Sequence, residues 1–177
     1  MAKVVVLGGC GAVGSVAVKT LAAQDMFSSV VIGDMNMDRA QDIIADIGSD
    51  KVTAVRLDAD DAKSIREAIA RCDVVLNCVG PFYKTVKTIL QTVIESGINY
   101  VDICDDVDVT LEILAMDAAA KSAGITALIG MGSSPGATNL LAKLAHDTLL
   151  DETDSIDIFH THGGEAIEGE GVIGHRF

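Results

Sequence analysis

The residues best suited to chemistry lie near the start of the chain, in the glycine motif Gly-Cys-Gly-Ala-Val-Gly at positions 9–14. The motif follows an apolar run at 4–7, which has the composition of a buried strand, and it opens a stretch with helical periodicity. Asp34 stands about 20 residues beyond the motif, at the end of a second apolar run at 30–32. This combination of strand, glycine motif, helix and acid is the fingerprint of a dinucleotide-binding site.

Each glycine of the motif has a distinct expected task. Gly9 lets the chain turn out of the strand, Gly11 lets the backbone approach a pyrophosphate, and Gly14 lets the helix pack against the strand. The free amide groups at the start of the helix, those of Ala12, Val13 and Gly14, would then face the phosphates with the help of the helix dipole. The motif therefore predicts where a cofactor diphosphate binds.

Asp34 is the residue expected to select the cofactor. A carboxylate at this position accepts hydrogen bonds from a ribose 2′-hydroxyl and repels a 2′-phosphate, so it favours NAD over NADP. Arg39 follows a few residues later and could pair with a 2′-phosphate, which leaves NADP possible. The structural alternative is that the glycines only form a tight turn and that Asp34 caps the next helix.

The elements that must position these residues alternate regularly along the chain. Apolar runs of strand length lie at 3–8, 28–34, 51–57, 73–79, 98–103 and 125–131. Helical patterns lie at 12–24, 36–47, 61–70, 83–96, 106–123 and 136–150. Such short β-α-β spacing implies parallel strands with right-handed crossovers. We therefore predict an α/β fold, a doubly wound parallel Rossmann sheet in the order 3-2-1-4-5-6 with helices on both faces.

The pattern changes after residue 150. Polar and apolar residues alternate over 155–162, which is typical of a half-exposed antiparallel strand, and a glycine-rich stretch follows. We predict a dinucleotide-binding domain at 1–150. Residues 151–177 would begin a truncated substrate or dimerisation domain, so the chain would be the front part of a longer protein or would take the missing strands from a partner.

Ligands of such sheets bind above the carboxyl ends of the strands, near the point where the strand order reverses. The loops after the third to sixth strands, at 57–60, 77–83, 102–106 and 130–139, should therefore converge on one crevice. In the first of them, Asp58 is a candidate hydrogen-bond partner for the amino group of an adenine.

Three further segments, together with the glycine motif, resemble the saccharopine dehydrogenase family, which includes lysine dehydrogenase and carboxynorspermidine-type relatives. They are Asn-Cys-Val-Gly-Pro-Phe at 77–82, Tyr-Val-Asp at 100–102 and Gly-Ser-Ser-Pro-Gly-Ala-Thr-Asn-Leu-Leu-Ala at 132–142. The resemblance covers nearly the whole chain. It implies an NAD(P)-dependent oxidoreductase that acts on a C–N bond of an amino acid or of a secondary amine derived from one. It also implies a second α/β domain that binds substrate and often dimerises.

The implied reaction moves a hydride between an amine carbon and the nicotinamide, and the amine becomes an imine that water hydrolyses. Asn77 and the segment Gly80, Pro81 and Phe82 should then lie beside the nicotinamide ribose and ring. For Asn77 the alternative is a plain turn residue. Isolated from its second domain, the chain is expected to be inactive.

Two acids and a helix start are the candidates for the substrate side. Asp102 and Asp105 could bind a substrate ammonium group or act as a base, although helix capping is the alternative for Asp105. Pro135 and Gly136 are expected to open the sixth helix and to aim its amides at a carboxamide or a substrate carboxylate, with Asn139 on the same side.

Other reactive residues carry weaker hypotheses. Cys104 could be the nucleophile of a semialdehyde dehydrogenase, but no base is evident beside it, and a small loop residue is the preferred interpretation. His160 and His162 share one face of the predicted strand, but they lack a third ligand, so we predict no metal site.

Composition narrows the class of protein. The formal net charge of −13 disfavours binding to nucleic acid or to an anionic membrane. No apolar run approaches the ~20 residues of a membrane span, and no signal peptide is expected. Four cysteines without C-x-x-C spacing indicate reduced thiols and a cytoplasmic protein. The family resemblance implies a homo-oligomer through the second domain. A non-catalytic NAD(P)-binding redox sensor is the alternative from another functional class.

Overall fold

The computed structural model describes residues 1–159 and contains one six-stranded sheet in which every strand pairing is parallel. The strand order is β3-β2-β1-β4-β5-β6, so the predicted doubly wound topology is confirmed. The strands are β1 (Ala2–Leu7), β2 (Phe27–Asp34), β3 (Val52–Arg56), β4 (Val74–Asn77), β5 (Asn99–Asp102) and β6 (Ala127–Leu128).

Seven helices lie within the described residues: α1 (Ala12–Ala22), α2 (Met37–Ile47), α3 (Ala62–Ile69), α4 (Phe82–Glu95), α5 (Val107–Leu114), α6 (Asp117–Ala123) and α7 (Ala137–Thr148). Their ends follow local chemistry. Asn36 caps α2 by accepting a hydrogen bond from the Arg39 amide at 3.0 Å. Gly48 ends α2 and Gly124 ends α6, both in the left-handed conformation that glycine adopts without strain.

The sheet separates two apolar clusters, as expected when helices cover both faces. One cluster contains Val5 and Leu7 of β1 together with residues of α3 and α4. The other contains Val4 and Val6 of β1 together with residues of α1 and α2. Because alternate residues of β1 enter opposite clusters, the strand is buried on both faces, which explains its uninterrupted apolar sequence.

Two predicted elements differ from the structure. The single helix expected at 106–123 is two helices, because the Met116 amide bonds three residues back, to the Ile113 carbonyl at 3.0 Å, and the helix starts again from there. The sixth strand is much shorter than expected. Its ladder stops at Leu128, and the Gly130 amide bonds to the Asp102 side chain at 2.8 Å instead of to a strand partner.

The end of the described chain does not test the predicted domain boundary. Residues 155–159, the described part of the predicted antiparallel strand, are not in a strand. The rest of that strand, with His160 and His162, lies outside the described residues. Among residues 1–159, no helix combines the length and apolar character needed to cross a bilayer.

Candidate functional site

The turn out of β1 depends on Gly8 rather than on Gly9. Gly8 has a φ of +73°, and a Cβ there would stand 2.9 Å from the Cys78 carbonyl oxygen. Gly9 does not have a positive φ, and its Cβ would press on Ile32 at 3.0 Å. The prediction that Gly9 makes the turn is therefore corrected: Gly9 is small because β2 packs against it, and Gly8 makes the turn.

The other two glycines have the geometry that a diphosphate site needs. A Cβ on Gly14 would overlap the Gly8 carbonyl oxygen, so helix α1 can approach the β1 turn this closely only with glycine. Gly11 is exposed, and its Cβ would meet only the Gly8 oxygen, at 3.3 Å. The first hydrogen bond within α1 is donated by the Ser15 amide to the Gly11 carbonyl at 2.9 Å. The amides of the first turn come before Ser15 and therefore have no partner within the helix. Ala12 and Val13 of that turn are exposed.

Asp34 ties the end of β2 to the glycine motif. One carboxylate oxygen accepts the Cys10 amide at 2.9 Å, and the other accepts the Asn36 amide at 3.0 Å. The capping alternative does not apply, because Asn36 caps α2. Burial, and next the Asp34 carboxylate, raise the pKa of the Cys10 thiol to about 11, so the thiol is neutral beside this site.

Asp58 lies where the sequence predicts, just after β3. Its side chain is exposed, and one carboxylate oxygen accepts the Asp60 amide at 3.0 Å in a local turn. The backbone amide of Asp58 donates to the Ser64 hydroxyl at 2.9 Å. This turn fixes the carboxylate at the same edge of the sheet as Asp34.

Asn77, Tyr100 and Asp102 form a buried hydrogen-bonded group between β4 and β5, which we call the polar triad. They are 0 %, 1 % and 0 % exposed, respectively. The Asn77 amide nitrogen donates to the Tyr100 hydroxyl at 3.0 Å, and that hydroxyl donates to Asp102 at 2.9 Å. Burial raises the pKa of both Tyr100 and Asp102.

The triad changes the roles predicted for two of its members. The second oxygen of Asp102 accepts the amides of Cys104 at 3.1 Å and Gly130 at 2.8 Å. Because the side chain is fully buried and accepts from three donors, the geometry favours a structural role for Asp102 over its predicted role as a substrate contact or base. Asn77 likewise accepts the Val79 amide at 3.0 Å, so its geometry fits the turn alternative rather than a nicotinamide contact.

Within the segment Gly80-Pro81-Phe82, the first residue lies at the surface and the last lies in the core. Gly80 is exposed, and a Cβ added there meets nothing within 4 Å, so there is open space above it. Pro81 stands at the N-cap of α4. Phe82 is only 9 % exposed and belongs to the apolar core, so its expected position beside the nicotinamide is corrected: its ring packs inward.

Of the acids after β5, Asp105 is exposed and Asp106 is half-buried. Asp106 occupies the N-cap position of α5. Its carboxylate accepts the Tyr83 amide at 3.0 Å, and this bond joins the start of α4 to the loop after β5. Asp105 therefore remains the acid of this loop that a ligand can reach.

A cavity of about 220 Å³ lies beside the loop after β6. It brings together several of the predicted substrate-side residues, and its lining is Cys104, Thr110, Ile129, Gly130, Met131, Pro135, Gly136, Asn139 and Leu140. The Gly136 amide donates to the Asn139 side chain at 3.3 Å. Pro135 is not the first residue of the helix, as expected from sequence, because Gly136 is the N-cap and α7 begins at Ala137.

Cys104 lines this cavity but has the wrong environment for a nucleophile. It is 1 % exposed, and burial raises the pKa of its thiol. Its sulfur lies 3.8 Å from the Thr110 hydroxyl, which is not a base. The thiolate needed for attack is therefore disfavoured. Within the part of the chain that the structure describes, no three His, Cys, Asp or Glu side chains are grouped closely enough to hold a metal ion.

Sequence reasoning missed two residues of this region. Gly8 lies just before the motif and has no predicted role, although two consecutive glycines at the exit of a strand are a signal. Tyr100 belongs to the segment at 100–102 that carries the family resemblance, but no role is predicted for its side chain. Its spacing of two from Asp102 places both side chains on one face of β5, but only the pairing of Asn77 with Asp102 in the sheet reveals the triad.

Comparison with known proteins agrees with this geometry. The sequence model of the family described as "Saccharopine dehydrogenase NADP binding domain" matches residues 4–128, which span β1 to β6. The chain belongs to this family. The matched span contains the glycine motif, Asp34, Asp58 and the polar triad, whereas the loop after β6 and helix α7 lie beyond it.

Two curated relatives and one solved structure illustrate the saccharopine dehydrogenase family membership. The chain is 30% identical over 174 residues to carboxyaminopropylagmatine dehydrogenase of Synechocystis and covers 42% of that protein. It is 28% identical over 178 residues to carboxynorspermidine synthase of Vibrio cholerae, again covering 42% of it. These alignments take in 93% and 89% of this chain. The chain thus spans less than half the length of the curated relatives it matches.

The solved structure is apo saccharopine dehydrogenase (L-Glu forming) from Saccharomyces cerevisiae. It superposes with a TM-score of 0.71 at 25% identity, over 83% of this chain and 31% of the yeast chain. The fold is therefore shared with an oxidoreductase of the same family.

Proposed function

We propose that this chain is the cofactor-binding part of an NAD(P)-dependent oxidoreductase that transfers a hydride at a C–N bond of an amino acid or of a secondary amine derived from one. One observation carries the proposal. The Asp34 carboxylate is bonded to the glycine motif through the Cys10 amide at 2.9 Å, beside the exposed first turn of α1. The residue that we propose binds the ribose is thus hydrogen-bonded to the segment that we propose binds the diphosphate.

In this proposal each part of the crevice binds one part of the cofactor. The first-turn amides of α1 hold the diphosphate, and Gly11 leaves room for it. Asp34 accepts the ribose hydroxyl, and Asp58 contacts the adenine edge. Because Asp34 repels a 2′-phosphate, we propose NAD as the preferred form, although the family description names NADP and the exposed Arg39 stands near enough in sequence to pair with that phosphate.

The names of the relatives support the choice of reaction, since both curated proteins are named for carboxylated amines. When bound, the cofactor would supply a nicotinamide ring that takes a hydride from the amine carbon. The chain's part is to hold that carbon beside the ring and to bind the substrate. We assign the exposed Asp105 to a substrate ammonium group, and the amide end of α7, with Gly136 and Asn139, to a carboxylate.

We also propose that a second domain completes the site. Leu140, Leu141 and Leu144 of α7 are exposed, and α7 has no buried residue. An apolar helix face of this kind usually has a packing partner. The domain that begins near residue 151 is the partner we propose, and it would supply the proton-transfer group and the contact between subunits.

Calorimetric titration with NAD, NADH, NADP and NADPH tests the cofactor proposal. We expect saturable binding of NAD or NADH that weakens about ten-fold or more in Asp34→Asn, because the loop anchor and the ribose acceptor are both impaired. The matched control is Asp42→Asn, which removes the same charge from the exposed face of α2 and should bind as the wild type does. Equal binding by both variants, or no binding of any dinucleotide, would contradict the proposal.

A further inference from the structure

We propose that the polar triad of Asn77, Tyr100 and Asp102 is a positioning device that fixes the nicotinamide side of the crevice. Through it, side-chain hydrogen bonds hold the loops after β4, β5 and β6 together beyond the ends of the strand ladder. The inference rests on the proposed cofactor site and adds to it that the nicotinamide half of the ligand lies beside these loops, at the carboxyl ends of the strands past the reversal of strand order.

The bonds of the triad reach one backbone amide in each of the three loops. Asn77 accepts the amide of Val79 in the loop after β4, at 3.0 Å. Asp102 accepts the amide of Cys104 after β5, at 3.1 Å, and that of Gly130 after β6, at 2.8 Å. The Tyr100 hydroxyl joins the two acceptors, because it accepts from Asn77 and donates to Asp102.

The loop after β6 depends most on this arrangement. The ladder between β5 and β6 contains only two residue pairs and ends at Leu128. Beyond it, the Gly130 amide is bound by the Asp102 carboxylate, and the Met131 amide bonds the Asp102 carbonyl at 2.8 Å. Asp102 thus sets where the chain leaves the sheet, and that exit forms one wall of the cavity lined by Gly130, Met131 and Gly136.

Burying three polar side chains lowers the stability of the fold unless their hydrogen bonds are satisfied. Three polar side chains without exposure must all be satisfied, and the part of the chain that the structure describes leaves no buried side-chain nitrogen or oxygen without a partner. Apolar residues at these positions would fill the same volume without directional bonds. The gain from the triad is therefore the fixed direction of the three loop amides.

The adenosine side of the crevice has anchors of its own besides the triad. Asp34 binds the glycine motif, and the loop after β4 is tied to β1 by a separate backbone bond, from the Cys78 amide to the Leu7 carbonyl at 2.8 Å. Loosening the triad should therefore affect a ligand that carries the nicotinamide ring and spare ADP-ribose, which has the diphosphate and both riboses but lacks that ring.

The test compares NADH with ADP-ribose on the 177-residue chain. Tyr100→Phe removes the hydroxyl that joins Asn77 to Asp102. Thr92→Val is the matched control, because Thr92 is also buried but its hydroxyl bonds only to the Thr88 carbonyl within α4. We expect Tyr100→Phe to raise the Kd for NADH about five-fold or more while leaving that for ADP-ribose within about two-fold. Equal loss for both ligands, or no loss for NADH, would overturn the inference.

Amide hydrogen exchange separates this inference from the cofactor proposal. If the wild type binds neither ligand, the cofactor proposal fails, and exchange at Val79, Cys104 and Gly130 still decides the role of the triad. Faster exchange at these amides in Tyr100→Phe than in Thr92→Val supports it, and unchanged exchange overturns it.

A second pair of variants covers the case in which Tyr100→Phe fails to fold. The side-chain oxygen in Asp102→Asn can still accept both loop amides, whereas Asp102→Ser cannot reach them. NADH should bind the asparagine variant more tightly than the serine variant. Equal affinity of the two would overturn the inference.

Discussion

Gly14 of the glycine motif packs directly against the backbone of Gly8, the residue before the motif. The carbonyl oxygen of Gly8 occupies the space that a Gly14 side chain would need, and the Gly8 turn itself packs against the loop after β4. Gly11 has no comparable neighbour. At the scale of single residues, packing therefore requires Gly8 and Gly14, whereas Gly11 is left free for a ligand.

Alanine substitutions should separate these two roles. Gly14→Ala forces α1 away from the Gly8 backbone and should lower the free energy of unfolding by about 2 kcal/mol or more. Gly11→Ala should cost less than about 1 kcal/mol but should weaken dinucleotide binding, because its methyl group enters the diphosphate space. Denaturant unfolding and calorimetry measure the two effects. The assignment fails if Gly11→Ala binds NADH as the wild type does.

We predict that titration of the Cys78 thiol lowers the stability of the fold at high pH. Burial, and next the Asp102 carboxylate, raise its pKa from 9.0 to about 11. The folded state therefore keeps the proton between those values while the unfolded state releases it, so stability is complete below about pH 9 and is lost as the pH rises through about 11. Denaturant unfolding from pH 8.5 to 11 should show a fall in the free energy of unfolding that is about 2 kcal/mol smaller in Cys78→Ala. The same slope in both proteins would contradict this role.

The residues predicted to bind the cofactor diphosphate and ribose lie together at the glycine motif, whereas Asp102 and Phe82 are buried. Gly11, Gly14 and Asp34 carry local signals, because their function depends on a short stretch and on one spacing. Asp102 and Phe82 do not, since an acid or an aromatic residue at a strand end can face either the crevice or the core. Only the pairing of β4 with β5 turns Asp102 inward, toward Tyr100 and Gly130.

Helices α4 and α7 mark the two extremes of burial among the elements. One face of α4 is buried in the core, with Ile89 and Val93 at 0 % exposure. None of the residues of α7 is buried, although three of its leucines are large and apolar. Both helices have a helical sequence pattern, so periodicity predicted their existence but not which of them the sheet would cover.

This contrast gives a matched pair of variants. Ile89→Ala leaves a cavity under the sheet and should cost about 2–5 kcal/mol. Leu144→Ala removes an exposed side chain from α7 and should change the stability of this chain by less than about 0.5 kcal/mol. Chemical denaturation measures both. A large cost for Leu144→Ala would mean that α7 is already packed in this chain and would remove the support for a second domain on that face.

At the scale of the whole molecule, the topology of the sheet could be predicted from the sequence pattern. Six apolar runs separated by helices leave right-handed parallel crossovers as the usual solution, and the glycine motif fixes which strand is central. The lengths of β6 and α5 did not follow, because a tertiary bond to Asp102 ends the strand at Leu128 and a local bond at Met116 divides the helix. The topology thus sets where the crevice lies, whereas the exact ends of the strands and helices around it depend on individual hydrogen bonds.

The most direct test of the account is to map amide chemical shifts while NADH is added to the isotopically labelled chain. We predict saturable shifts that are largest in the glycine motif at 9–14 and at 34–36, with smaller shifts in the loops after β4 and β6. This result would place the diphosphate on the first turn of α1. Shifts confined to α7, or no saturable shift at any amide, would contradict a dinucleotide site at this edge of the sheet.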